Sequence, residues 1–346
     1  MEIRRIESQL PYVKLITTRA TFCPRMLSYI QIPSEGQENF LMIEGLINIK
    51  KAISTLNSNT VREQAGQRVL VGLHASTAES YARMENFLLA ELSPARRHES
   101  AGTLVRSPGL ILGQPAADIN IYDEGIVAPA QALIFRPDKP HLMVEKTLAK
   151  YPHLGVPLAK TFHPFRDPFI EKTIATTARE NTLFSLATAL PDIIPSVIEL
   201  PWAVAEFASD TAFLTMNQIR MAFVIAAASD REVGYMEQKS EIAAVVGSAF
   251  GWRALARQVV GKIPFGGGLL GKAAIAYAGT KVLGLSLDKF YGVGYTYARE
   301  ERDALYADAY RQGKRVAIKI LSLLRPDLAE KFATDPDARA TSAGHR

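Results

Sequence analysis

The chain has 346 residues, 48% hydrophobic and 22% charged, with a formal net charge of +5; the length holds two domains with full cores, and the composition excludes a disordered protein. Its one cysteine, Cys23, excludes an intramolecular disulfide and fits a reducing compartment. Lys and Arg are scattered, with short clusters at Arg96–Arg97 and Lys314–Arg315, whereas a nucleic-acid binder gathers them into a stripe with exposed aromatics, so no nucleic-acid partner is expected.

Residues 1–64 read as a mixed N-terminal segment. Met1 to Leu15 carries charges without an apolar h-region, so no secretory signal is expected there. Tyr12–Thr18 and Arg25–Ile32 fit short strands. Met42, Leu46, Ile49, Ile53 and Leu56 recur in alternating steps of four and three, which predicts an amphipathic helix over Asn39–Leu56, stopped by Asn57-Ser58-Asn59. Residues 65–140 read as a small α/β domain. Val69–Leu73 is a buried-strand run, and Ser76 or Thr77 can cap the helix that follows, whose face is Tyr81, Met84, Leu88 and Leu92. Short apolar runs at Leu110–Leu112, Ile119–Tyr122 and Ala132–Phe135 supply further strands, and Pro137-Asp138-Lys139-Pro140 closes the unit.

Residues 141–333 carry no further strand signal and read as a helical domain, followed by a polar tail at 334–346. Helices are expected at His141–Lys150 and Asp167–Leu190, then a proline-marked stretch from Pro191 to Trp202. Long helices are expected over Thr211–Ser229 and Lys239–Gly261. Gly266-Gly267-Gly268 predicts a turn into Leu269–Leu287, and the last helices run from Asp288 to Leu324, with a weak point at Gly313, and on past Pro326. The fold class is therefore α+β: a small α/β domain followed by a mostly α-helical bundle.

No stretch reaches the roughly 18 uncharged residues of a simple membrane-crossing helix. Thr182–Ala208 nevertheless carries only Asp192, Glu199 and Glu206 as charges. Between Glu241 and Asp288 there is no acid, while Arg253, Arg257, Lys262, Lys272 and Lys281 are basic and Ala273, Ala274, Ala276, Ala278 and Gly279 allow close helix contact. Two readings fit: a tightly packed soluble core, or a helical hairpin lying at a membrane with basic side chains reaching the headgroups. Trp202 and Trp252 suit an interface in the second reading.

Four stretches in this half form an ordered set: Leu214–Met221 (LTMNQIRM), Gly251–Arg257 (GWRALAR), Ile263–Gly266 (IPFG) and Ala276–Thr280 (AYAGT). Together they resemble the bacterial domain of unknown function 697 over about residues 183–287. The resemblance implies a helical module that often follows a small GTPase domain and occurs in YcjF-type inner-membrane proteins. It carries no catalytic residues.

A GTPase-like phosphate loop would begin at Gly72, after the first strand. The second glycine position then holds Thr77, the lysine position Ala78 and the hydroxyl position Glu79, so the sheet reads as a degenerate GTPase-like one. Asp123-Glu124-Gly125 is one residue short of Asp-x-x-Gly, and no Asn-Lys-x-Asp motif occurs. Gly266 to Ala273 matches G-x-x-x-x-G-K without the final hydroxyl, but between helices it reads as a hairpin turn. His74, His98, His141, His153, His163 and His345 show no zinc spacing, His163-Pro164-Phe165-Arg166 fits a domain-junction turn, and no Gly-x-Ser-x-Gly elbow occurs. Asp192, Glu199 and Glu206, spaced by sevens, read as a solvated helical stripe. No catalytic, cofactor or metal residue is thus assigned. The expectation is a non-enzymatic, membrane-associated bacterial accessory protein on the cytoplasmic side of the inner membrane, with an unidentified protein partner. A GTPase-like hydrolase with an atypical site and a soluble cytoplasmic scaffold are the alternatives.

Overall fold

The computed structural model describes residues 58–108, 117–190, 210–245, 267–326 and 328. The expected elements at Tyr12–Thr18, Arg25–Ile32, Asn39–Leu56 and Leu110–Leu112, the proline stretch from 191 and the tail at 334–346 lie outside them.

After α1 (Ser58–Gly66) come β1 (Val71–Ala75), α2 (Ala78–Leu88), α3 (Pro94–Ala101), β2 (Leu104–Pro108), β3 (Ile119–Asp123) and β4 (Leu133–Phe135). The four strands pair in the order β2-β1-β3-β4, all parallel, with Val71 opposite both Leu104 and Ile119 and Ile121 opposite Leu133. β1 sits two residues later than its apolar run predicts. Val69 is buried at 1% exposure but Leu70, beside it, is anchored by the Asp118 carboxylate, and ladder pairing begins only at Val71. α3 and β2 were not expected from the sequence. α3 is polar throughout, started by Ser93 and Pro94, and β2 is an edge strand that tolerates Arg106 and Pro108. Of the two proposed caps, Thr77 is the one used, its hydroxyl accepting from Ser80 N at 3.1 Å.

The odd-numbered residues of β1 join Ile119, Ile121, Leu133, Phe135, Met84 and Leu88 in one core. That core continues into α4 (Pro140–Lys150), a 3-10 turn at Pro152–Leu154, α5 (Gly155–Thr161) and the start of α6 (His163–Ala187). α6 begins four residues before the expected Asp167. Pro164, not Pro168, occupies the helix start, and Pro168 is accommodated one turn further in. His163–Arg166 is therefore the first turn of a helix and not a junction turn.

The bundle consists of α6, α7 (Asp210–Ala228), a helical stretch at 239–245, α8 (Gly267–Val293) and α9 (Arg299–Leu324). Two glycine expectations are corrected. Gly267 and Gly268 belong to the first turn of α8 rather than to a preceding turn, and α8 runs past Asp288 to Val293. Gly313 lies mid-helix in α9, where a Cβ would stand 2.9 Å from the Ala274 carbonyl oxygen of α8; it marks the closest approach of two helices, not a weak point. The small residues Ala273, Ala274 and Ala278 are fully buried. Among the described residues no helix is long and apolar enough to cross a membrane.

Candidate functional site

Three places combine polar chemistry with burial. The first is the sheet. Chain order leaves β1 toward β2 and returns for β3 on the other side, so the carboxyl ends of β1 and β3 form a topological switch point, the usual ligand crevice of an open parallel sheet. Strand alternation places Gly72, His74, Asn120 and Tyr122 on the face opposite Leu73 and Ile121. His74 stacks on Tyr122 with ring centroids 4.4 Å apart, and its Nε2 lies 2.8 Å from Asn120 Oδ1. With that oxygen as acceptor, His74 carries its proton on Nε2, and Nδ1 stays buried without a partner among the described residues, as does Asp123 Oδ1 at the end of β3. At the amino end of α2 the Thr77 hydroxyl occupies the Ser80 amide, and Glu79 stands in the first turn within 3.4 Å of Arg83.

The second place is inside the bundle, and it accounts for two of the four motif stretches. Asn217 of α7 and Thr280 of α8 both bond to Asn181 of α6, and Gln218 of α7 joins them through Thr280. Thr280 Oγ1 accepts from Asn181 Nδ2 at 2.8 Å and from Gln218 Nε2 at 3.0 Å, and donates to the Ala276 carbonyl at 2.8 Å. Asn217 Nδ2 donates to Asn181 Oδ1 at 3.0 Å and to Glu180 Oε2 at 3.1 Å. Asn181 and Thr280 are at 0% exposure, so this network fixes the register of three helices and meets no solvent ligand. The stretches at 251–257 and 263–266 lie outside the described residues, as do Arg253, Arg257, Lys262, Glu199 and Glu206. Lys281 of the basic set donates to Gln312 Oε1 at 2.5 Å, within the bundle. Lys272 lies in the second turn of α8, so the G-x-x-x-x-G-K string is helical from Gly267 onward.

The third place is a polar cleft of 280 Å³ at the seam of sheet unit and bundle, lined by Glu91, Leu92, Ser93, Arg96, Lys160, His163, Arg166, Ser229, Asp230 and Arg231. Four chain segments build it: the loop before α3 together with that helix's first turn, the end of α5, the first turn of α6, and the turn after α7. Asp230 ends α7 in a left-handed conformation (φ 57°), with Arg231 N bound to Ala226 O and its own N bound to Ala227 O, the paired closure of a Schellman turn. Its carboxylate pairs with Arg96 and stands 4.0 Å from Lys160. Arg96 also meets Glu99 at 2.8 Å; against some burial, these acids raise its pKa. Arg166 differs. Its Nη1 lies 2.7 Å from His163 Nε2, and His163 Nδ1 lies 3.1 Å from Glu91 Oε2, which makes His163 the Nδ1-protonated relay between them. The buried Nε of Arg166 has no hydrogen-bond partner among the described residues. Burial lowers the pKa of Arg166, Asp230 and Asp167 offset this, and Arg96 adds repulsion.

Sequence reading assigned none of these cleft residues a role. They come from positions as far apart as 91 and 231; the sequence marks only Arg96, as part of a short basic cluster, and His163–Arg166, as a junction turn. Among the described residues no group of three His, Cys, Asp or Glu is placed to hold a metal ion. Comparison of the chain with protein-family models, with curated proteins and with solved structures finds no match.

Proposed function

We propose that the protein is a non-enzymatic accessory or scaffold protein working peripherally at the cytoplasmic face of a bacterial inner membrane, with the sheet unit as binding platform and the helical unit as the part that meets lipid. The observation that carries the non-enzymatic reading is the first turn of α2. A phosphate loop presents free backbone N–H groups and a lysine there. In this chain Thr77 caps its own helix, and Ala78 and Glu79 occupy the lysine and hydroxyl positions. Titration of the full chain with GTP or ATP and Mg²⁺ is expected to show no binding, and micromolar affinity for either would restore the GTPase-like hydrolase.

The membrane part rests on the acid-free interval between Glu241 and Asp288 with its five basic side chains, and on the resemblance of residues 183–287 to domain of unknown function 697. Each Lys or Arg near an anionic leaflet is worth about 1 kcal/mol. A soluble scaffold is the second reading, favoured by the engagement of Lys281 with Gln312 and by the burial of the α8 alanines against neighbouring helices. Cell fractionation with salt and carbonate washes separates them. Recovery wholly in the soluble fraction, with no binding to anionic liposomes at low salt, leaves the soluble scaffold.

A further inference from the structure

We propose that the cleft at the seam is a binding site for a small oxyanion of the phosphate-monoester class. Its lining holds four fixed cations, Arg96, Lys160, Arg166 and Arg231, against two carboxylates, Glu91 and Asp230, so a bound dianion leaves the lining neutral. Guanidinium groups present planar forks that match phosphate oxygens, and two of the three arginines have capacity to spare. Arg166 feels the charges of Asp230, Asp167 and Asp288, but its hydrogen bond among the described residues goes to the unprotonated Nε2 of His163, and its buried Nε–H has no acceptor among them. Arg231 donates to a neutral backbone oxygen, that of Tyr291, at 3.0 Å. The amino ends of α3 and α6 both reach the cleft, through Ser93 and His163, and add the positive ends of two helix dipoles. The Ser93 and Ser229 side chains supply hydroxyls at the lining.

Size limits the ligand. The 280 Å³ volume falls below the range of about 300–1,000 Å³ typical of pockets for drug-sized molecules. A phosphate with a small substituent fits within that volume, and a larger ester would project from it. Asp230 then acts as internal counter-ion, holding Arg96 and Lys160 apart from solvent anions until the ligand arrives. Its left-handed backbone is one that Asn also tolerates, so its charge can be removed without disturbing the turn.

The test is calorimetric titration of the full chain with inorganic phosphate, against NaCl of matched ionic strength. Saturable binding is expected, weakened about tenfold or more in Arg166→Gln and in Arg96→Gln, each of which removes a charge-assisted hydrogen bond, and tightened in Asp230→Asn. Vesicles containing phosphatidic acid, a monoester, or phosphatidylglycerol, a diester, at equal surface charge identify the source. A preference for phosphatidic acid that Arg166→Gln abolishes assigns the site to a lipid headgroup, and phosphate binding without that preference assigns it to a soluble ester. Absence of binding in both arms overturns the proposal, as does binding that the two arginine variants leave unchanged. If the arginine variants fail to fold, Asp230→Asn decides alone: tighter binding supports the site, and unchanged or weaker binding overturns it.

Discussion

Asp230 shows how a single residue can serve two demands that conflict. A Schellman closure prefers glycine at its left-handed position, yet the chain places there a carboxylate that joins Arg96 of the sheet unit to the end of α7. Replacing it separates the two demands. Asp230→Gly loses the ion pairs but relaxes the backbone, whereas Asp230→Ala loses the ion pairs and keeps the strain. Chemical denaturation is expected to find the alanine variant less stable than the glycine variant by about 1 kcal/mol. Asp288 gives a second prediction. Burial raises its pKa, the Asp167 charge adds to this, and Arg166 opposes it. A carboxyl group with a raised folded-state pKa favours the fold when protonated, so its ionisation weakens stability as pH rises through the carboxylate range. Asp288→Asn is therefore expected to raise the melting temperature at pH 7 and to have a smaller effect once the pH falls below that range. Neither role is legible from the sequence, because the partners of Asp230 and Asp288 lie far away along the chain.

At the scale of elements, strong periodicity was legible and close contact was not. The helices at Pro140–Lys150 and Asp210–Ala228 fall within a residue of expectation, since length and apolar content define them without tertiary help. β2 and α3 are not legible in the sequence because an edge strand and a polar helix leave no apolar pattern to read. Gly313 looks like a weak point in the sequence because a glycine in a helix signals weakness locally. Its true reason, the carbonyl of Ala274 beneath it, belongs to another helix. Gly313→Ala is accordingly expected to destabilise by about 1–3 kcal/mol, opposite in sign to the gain alanine brings in an open helix, and thermal melts of the full chain check it. Thr280→Val is expected to cost about 2 kcal/mol or more, because it strips the shared acceptor from Asn181 and Gln218 and leaves two buried amide donors unsatisfied. Thr280→Ser should restore most of that loss, which a purely steric role would not predict.

On the scale of the whole molecule, the order of a small α/β unit followed by helices was readable from the shift in pattern near residue 140. The physical join was not, because it lies within one helix. α6 contributes Phe165 to the sheet core, Ile170 and Ile174 to the bundle core, and Leu186 to a third cluster with α8 and α9. A chain beginning at residue 141 is therefore expected to expose the sheet-facing side of α4 and α5 and to aggregate or lose native circular dichroism, while the intact chain unfolds in one cooperative transition. The same helix makes the molecule a lever. Its 25 residues extend about 37 Å at the usual rise, so a tilt of about 5° at its first turn carries its far end by about 3 Å. His163 and Arg166, on the wall of the seam cleft, sit on the short arm of that lever, and the packing of α8 and α9 sits on the long one.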